Sequence, residues 1–218
     1  MKIGIIGATG KAGRDIYAEA VARGHEVVGL VRDAARAEEV LGQGATIVVA
    51  DAFDLTHAEL AGFDVIVSAF GVAPQEAHRH TELTRHLVET TDDVKPRLVF
   101  ILGAGSLVTG EDRHPFLKDI ANIPGAEAWI DIPRARLHQL EYLRAIGGAN
   151  WVGVSPSALF EPGPANTPVL GHNELLVDAD GQSRTTTGTM AIAVLDEIEN
   201  PKHLNTRFTV GDGEPLAA

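Results

Sequence analysis

The chain has 218 residues, 44% of them hydrophobic and 22% charged, which suits one large folded domain and argues against a disordered or fibrous chain. It contains no cysteine, so disulfides, thiolate metal sites and cysteine nucleophiles are excluded. A formal net charge of −12 repels phosphate backbones and anionic membrane surfaces, so neither nucleic acid nor membrane is expected as a partner.

The start, Met1-Lys2-Ile3-Gly4, enters a strand rather than a signal-peptide pattern, and no apolar run approaches bilayer length, so a cytoplasmic location is expected. Lys2 to Ile6 is a short apolar run that meets a glycine turn. Lys11 to Arg23 follows with Ala12, Ile16, Ala20 and Val21 at helical spacing, giving strand, turn, helix. His25 to Val31 reads as a second strand, and Asp33 as the cap of a helix over Ala34 to Leu41 that stops at Gly42 and Gly44. Ala45 to Ala50 is the third strand. Thr56-His57-Ala58-Glu59 has the form of a capping box, and Phe63 to Ala69 is a buried fourth strand.

The rhythm continues with a helix from Gln75 to about Asp92, a fifth strand from Arg97 to Leu102, a helix from Arg134 to Ile146 and a sixth strand from Trp151 to Val154. Alternation of this kind requires crossovers and predicts an α/β fold with a doubly wound parallel sheet. After Pro156 the pattern loosens. Three prolines fall between Glu161 and Pro168, Asp178-Ala179-Asp180-Gly181 signals a turn, and a helix over Thr189 to Glu199 precedes a last strand, Arg207 to Val210. The reading is a single domain, residues 1–218, whose tail from about residue 157 covers the substrate side of the sheet.

Gly7-x-x-Gly10-x-x-Gly13 lies between the first strand and the first helix, where glycines permit a tight turn and let the backbone approach a pyrophosphate. The helix N-terminus adds free N–H groups and partial positive charge, and Lys11 adds a cation, so Gly7, Thr9, Gly10, Lys11, Ala12 and Gly13 are candidate phosphate contacts. The alternative is a plain glycine-rich turn. At the end of the second strand, Val31-Arg32-Asp33 places Arg32, with Arg36 one turn on, where two guanidiniums can meet a 2′-phosphate, which favours NADP over NAD. Asp33 itself reads as a helix cap. Ligands in open α/β sheets bind beyond the carboxyl ends of the strands, which adds Asp51 and Ala52 near the adenine, and Ala69, Phe70 and Gly71 near the adenosine ribose. By the same rule Gly103 to Ser106, and Ser155, Pro156 and Ser157, face the nicotinamide.

With Lys2 to Gly13, Val31-Arg32-Asp33, Phe100-Ile101-Leu102-Gly103 and Trp151 to Pro156 in place, the chain resembles the atypical short-chain dehydrogenase/reductases, specifically the NmrA-like NAD(P)H-binding group and its NADH-flavin reductase-type members. The resemblance implies the Rossmann-type fold and the nicotinamide cofactor. Orthodox members of the wider family use a Tyr-x-x-x-Lys pair to protonate a carbonyl oxygen, and this chain lacks it. Its tyrosines are Tyr17 and Tyr142, the residue four after Tyr142 is Ile146, and none of Lys2, Lys11, Lys95, Lys118 or Lys202 is correctly spaced.

Reducing a ketone leaves an alkoxide that needs a positioned acid, whereas a flavin or quinone spreads the incoming charge over a conjugated ring and can take its proton from water. The expectation is therefore an NAD(P)H-dependent reductase of a flat small-molecule acceptor, with free flavin or a quinone as substrate. The alternatives are a non-catalytic NADP sensor and an epimerase-like or dehydratase-like enzyme, the last needing the missing tyrosine.

Around the acceptor, Ser106 is the candidate catalytic hydroxyl. Trp129, Phe160 and Phe70 are candidates for a planar slot, and His114 and His138 for proton donors. His78 and His80 sit two apart in an expected helix and so point apart, which argues against a metal site; none is expected. Asp92-Asp93 and Glu111-Asp112 read as solvated surface charge. A homodimer is admitted by analogy alone.

Overall fold

The computed structural model describes residues 1–92 and 96–216, so Asp93, Lys95 and the last two residues of the expected domain lie outside the described residues. Lys2–Ile6 forms β1, Gly13–Ala22 α1, Glu26–Val31 β2 and Ala34–Leu41 α2. Ile47–Val49 forms β3, His57–Leu60 α3, Val65–Ser68 β4 and Arg79–Thr91 α4. Arg97–Ile101 is β5, followed by a small hairpin of β6 (Val108–Thr109) and β7 (His114–Pro115), and by α5 (Leu117–Ile120). Asp131–Ala145 is α6 and Trp151–Pro156 is β8. The tail contains β9 (Leu159–Glu161), β10 (Asn166–Gly171), β11 (Arg184–Thr186), α7 (Thr187–Glu199) and β12 (Thr206–Pro215).

The main sheet has eight strands in the order β10-β12-β8-β5-β4-β1-β2-β3, parallel throughout except for the antiparallel pair β10 and β12. The α/β expectation holds, and its local signals explain much of it. Asp33 caps α2 by accepting from the Arg36 N–H at 3.1 Å. The capping box at α3 is complete: Thr56 N–H donates to Glu59 Oε2 at 2.8 Å and Glu59 N–H to Thr56 Oγ1 at 3.4 Å.

The central strands alternate between two cores. Val65 and Val67 of β4, with Val99 and Ile101 of β5, pack among Ile16 and Ala20 of α1 and Val194 and Ile198 of α7. Ile66, Leu98 and Phe100 turn the other way, to Leu83 and Leu87 of α4 and Leu140 and Leu143 of α6. Both faces are apolar because helices cover both, each fully buried Leu or Ile contributing about 1.5 to 3 kcal/mol.

Several boundaries differ from expectation. The third strand shortens to Ile47–Val49, and the helix expected from Gln75 is a 3₁₀ turn at Pro74–Glu76 followed by α4. The helix expected from Arg134 begins at Asp131 and takes in Pro133, which is tolerated in a first turn whose N–H groups lack partners anyway. In the tail, β12 runs on to Pro215 because β10 pairs along it, and β11 adds beside β9.

The chain runs from β1 outward through β2 to β3, then returns to β4 on the other flank of β1 and continues through β5 to β8. That reversal opens a crevice above the carboxyl ends of β1 and β4.

Candidate functional site

A cavity of about 670 Å³ occupies this crevice. The loop after β1 forms one wall, and its shape depends on backbone contact. Gly10 N–H donates to the Gly7 carbonyl at 2.8 Å, and Gly7 has φ +75°. A Cβ on Gly7 would lie 2.6 Å from the Ala69 carbonyl oxygen, and one on Gly13 would lie 2.1 Å from the Gly7 carbonyl oxygen. No side chain fits at either place. α1 then begins without a side-chain cap, and in its first turn Arg14 N–H turns back to the Gly10 carbonyl at 3.2 Å.

Most of the expected positions converge on the cavity. Gly7, Thr9, Gly10, Lys11 and Ala12 line it from the loop, and Arg32 from the end of β2. Asp51 and Ala52 line it after β3, Ala69, Phe70 and Gly71 after β4, and Gly103 after β5. Pro156, Trp129 and Phe160 close the far side. Lys11 reaches across to the tail: its Nζ donates to the Phe160 carbonyl at 2.8 Å and stands 4.6 Å from that ring's centroid. Burial lowers the Lys11 pKa, opposed by the charge of Glu161.

Six expected residues, His114 and His138 among them, do not line the cavity. Gly13 packs beneath the loop against Gly7. The Arg36 backbone is engaged in capping, and its side chain is exposed on α2. Ser155 is fully buried; its Oγ donates to the Gly103 carbonyl at 3.1 Å and accepts from Arg207 Nη1 at 3.1 Å. The Ser106 hydroxyl accepts from the same Arg207 Nη1 at 3.1 Å and stands outside the cavity lining. Arg207 is 1% exposed, and burial pulls its pKa down to about 10, assisted by the charge of Arg144 and opposed by Glu174.

His114 sits in the β6–β7 hairpin between Asp112 and Asp119, bonded to both carboxylates, which raises its pKa. His138 and His78 are exposed. The expected aromatic slot is rearranged as well. Phe70 packs edge-on to Phe53 and His80, while Trp129, at 40% exposed, stays free at the rim. Among the described residues no group of three potential metal ligands assembles, and no helix is long and apolar enough to cross a membrane.

Two polar lining residues were not anticipated, His80 on α4 and Arg136 on α6. Arg136 Nη2 donates to the Phe70 carbonyl at 2.7 Å and Nη1 to Gln139 Oε1 at 3.0 Å. Burial pulls this guanidinium down to about 10, still protonated at neutral pH. Burial and the charge of Arg136 drive the His80 imidazole down to about 2, so it is neutral. Their signal was spacing: His80 shares a stripe with Leu83, Thr84 and Leu87, and Arg136 one with Pro133, Leu140 and Leu143, so each falls on a buried helix face.

The sequence model of the NAD(P)H-binding family matches residues 7–198. The uncharacterized protein YwnB of Bacillus subtilis (strain 168) is 40% identical over 213 residues, covering 96% of this chain and 98% of that one. A crystal structure of a Lactobacillus casei protein superposes with a TM-score of 0.91 at 38% identity, covering 98% of this chain and all of that one. Another, from Streptococcus pneumoniae TIGR4 and described as "a putative NADH-flavin reductase", gives 0.87 at 30% identity, with 98% and 100% covered. The matched span takes in the glycine loop, all of α1 to α6 and all but the last residue of α7, and the chain belongs to the NAD(P)H-binding family.

Proposed function

We propose that the protein is an NAD(P)H-dependent oxidoreductase that reduces a flat conjugated acceptor of the flavin or quinone class, with NADP preferred to NAD. The observation that carries this is one continuous cavity reaching from the phosphate loop, past Arg32, to the ends of β5 and β8. The residues fit the group: the tight approach at Gly7 and Gly13 leaves the backbone bare where a pyrophosphate needs it. The N–H groups of Lys11, Ala12 and Gly13 and the Lys11 ammonium would hold the phosphates, and Arg32 at the mouth would meet a 2′-phosphate. Asp51 and Ala52 would border the adenine, with Ala69, Phe70 and Gly71 at its ribose, and Gly103 and Pro156 beside the nicotinamide. The bound dinucleotide supplies the hydride.

Trp129 and Phe160 border the space left for the acceptor, and the chain brings no tyrosine to it, which suits an acceptor that delocalises charge. The S. pneumoniae relative's description agrees in reaction class. The test follows NADPH absorbance with FMN or a small quinone as acceptor. Turnover well above the uncatalysed background supports the enzyme. Gly10→Asp sets a carboxylate against the pyrophosphate and is expected to abolish dinucleotide uptake, while Arg32→Ala weakens NADP more than NAD; unaltered affinity in the first variant would sink the site. A second reading, an NADP sensor, is favoured by the Lys11 to Phe160 bond, which ties the phosphate loop to the tail. Tight NADP binding without turnover across a broad acceptor panel would select it.

A further inference from the structure

At the α4–α6 side of the cavity two polar groups are held with unused bonding capacity. His80 is 2% exposed, and neither ring nitrogen has a partner among the described residues. Buried polar atoms are normally satisfied, so an unpartnered pair on a residue that lines the cavity is an opening for a ligand. Arg136 uses its fork on two neutral acceptors, the Phe70 carbonyl and Gln139, leaving its other N–H groups without a partner among the described residues.

The arrangement is built rather than accidental. Gln139 Nε2 donates to Thr84 Oγ1 at 2.8 Å, and Thr84 Oγ1 donates to the His80 carbonyl at 2.8 Å, so a buried chain of bonds links Arg136 to the backbone of His80 across the two helices. The Arg136 stem also packs on the end of β5, where a Cβ on Gly103 would touch its Cβ and Cγ at 3.4 Å. Of the other lining cations, Lys11 belongs to the phosphate loop and Arg32 to the end of β2. Arg136 is therefore the cation on the β5 side, next to the apolar wall of Ile120, Trp129, Ile132 and Pro133.

We propose that His80 and Arg136 form an oxygen-recognising subsite for the acceptor, binding a carbonyl-type oxygen that is, or on reduction becomes, negatively charged. The proposal rests on the reductase reading above and adds a substrate class: conjugated carbonyl compounds, with anionic members favoured. A guanidinium without a carboxylate partner is poised for a charge-assisted bond to such an oxygen, and the neutral imidazole supplies one N–H donor. The acceptor gains a hydride and one proton from water, and the dinucleotide is oxidised. Between those two arrivals the acceptor carries one more negative charge than before, which these groups stabilise.

Calorimetry with two probes tests this on the whole protein: 2-hydroxy-1,4-naphthoquinone, an anion at neutral pH, and the uncharged 2-methyl-1,4-naphthoquinone. The absence of cysteine removes thiol addition as a complication. The wild type is expected to bind the anion at least about tenfold more tightly. Arg136→Met is expected to shrink that preference to about threefold or less, and His80→Phe to weaken both probes, while NADP affinity stays within about threefold in each. Arg136→Gln, which can still bond the Phe70 carbonyl, replaces the first variant if that one does not fold. No preference for the anion in the wild type, or a fall in NADP affinity that tracks the fall for the probes, overturns the subsite. Failure of the wild type to take up any pyridine dinucleotide overturns the reductase reading instead, and is read in a separate titration.

Discussion

Two arginines mark the ends of β5, the buried Arg97 at its start and the half-buried Arg136 of α6 beyond its end, and the two are treated in opposite ways. At its start, Arg97 of β5 itself meets a carboxylate: it pairs with Glu197 of α7, and its Nη1 and Nη2 also reach the Glu197 and His203 carbonyls, each at 2.7 Å. His203 Nδ1 bonds the same carboxylate at 2.8 Å and its ring stacks on Phe208. At the other end, beyond Gly103, Arg136 has only neutral acceptors and faces a cavity beside an unpartnered imidazole. The closed cluster fastens α7 to the sheet, whereas the open one keeps bonding capacity for something that arrives. Where buried charge is left incomplete in an otherwise well-satisfied chain, a ligand is the economical explanation.

That contrast can be broken or sharpened. The largest effect is expected at the closed end. Glu197→Ala strands the Arg97 guanidinium and should cost about 3 to 5 kcal/mol by urea unfolding, with NADP affinity of the folded protein unchanged. Burial pushes the Glu197 carboxyl up, but hydrogen bonds from His203 and Arg97 outweigh it and hold the pKa below its ordinary value. Its contribution is thus present above the usual carboxylate range and is lost as pH falls through the lower folded value, so the variant should lose part of the wild type's acid sensitivity.

Next comes Gly13→Ala, whose Cβ has no room against the Gly7 carbonyl. A stability loss of about 1 to 3 kcal/mol is expected, together with weakened dinucleotide uptake in a direct titration. Arg136→Met should change stability by only about 1 kcal/mol, since the bonds it forfeits are to neutral groups beside a water-accessible cavity. A loss as large as that of Glu197→Ala would erase the distinction between the two ends.

The smallest effect belongs to His114. Hydrogen bonds to Asp112 and Asp119 raise its pKa, so the hairpin is tightened below the ordinary histidine value and loosens as pH rises through the higher folded one. An NMR titration should place the His114 midpoint above 6.5, and Asp112→Asn should bring it back toward that value.

Local signals made the first two thirds of the fold legible. The glycine loop, the Asp33 cap, the Thr56 capping box and the apolar runs of β1, β2, β4 and β5 are each written within a few residues. The tail is not written that way. β10 finds β12 from some 40 residues away, and β11 adds to β9 across the stretch that holds β10, so short runs broken by Pro162, Pro164 and Pro168 gave no periodicity to read. The site divides similarly. Backbone-defined positions such as Gly7 and Ala69 follow from strand ends, but the side chains that face the cavity depend on distant partners. Ser106 is claimed by Arg207, 101 residues later, and the value of His80 and Arg136 appears only when α4 and α6 pack together.

The jammed glycines also bear on how the cavity receives a ligand. With Gly7 pressed on the end of β4 and Gly13 on Gly7, the loop has almost no conformational freedom left to lose, so little ordering entropy is charged against association. As the proposed pyrophosphate cradle, the loop is rigid before anything enters it, and adaptation to different acceptors falls to the rim, where Trp129 is 40% exposed.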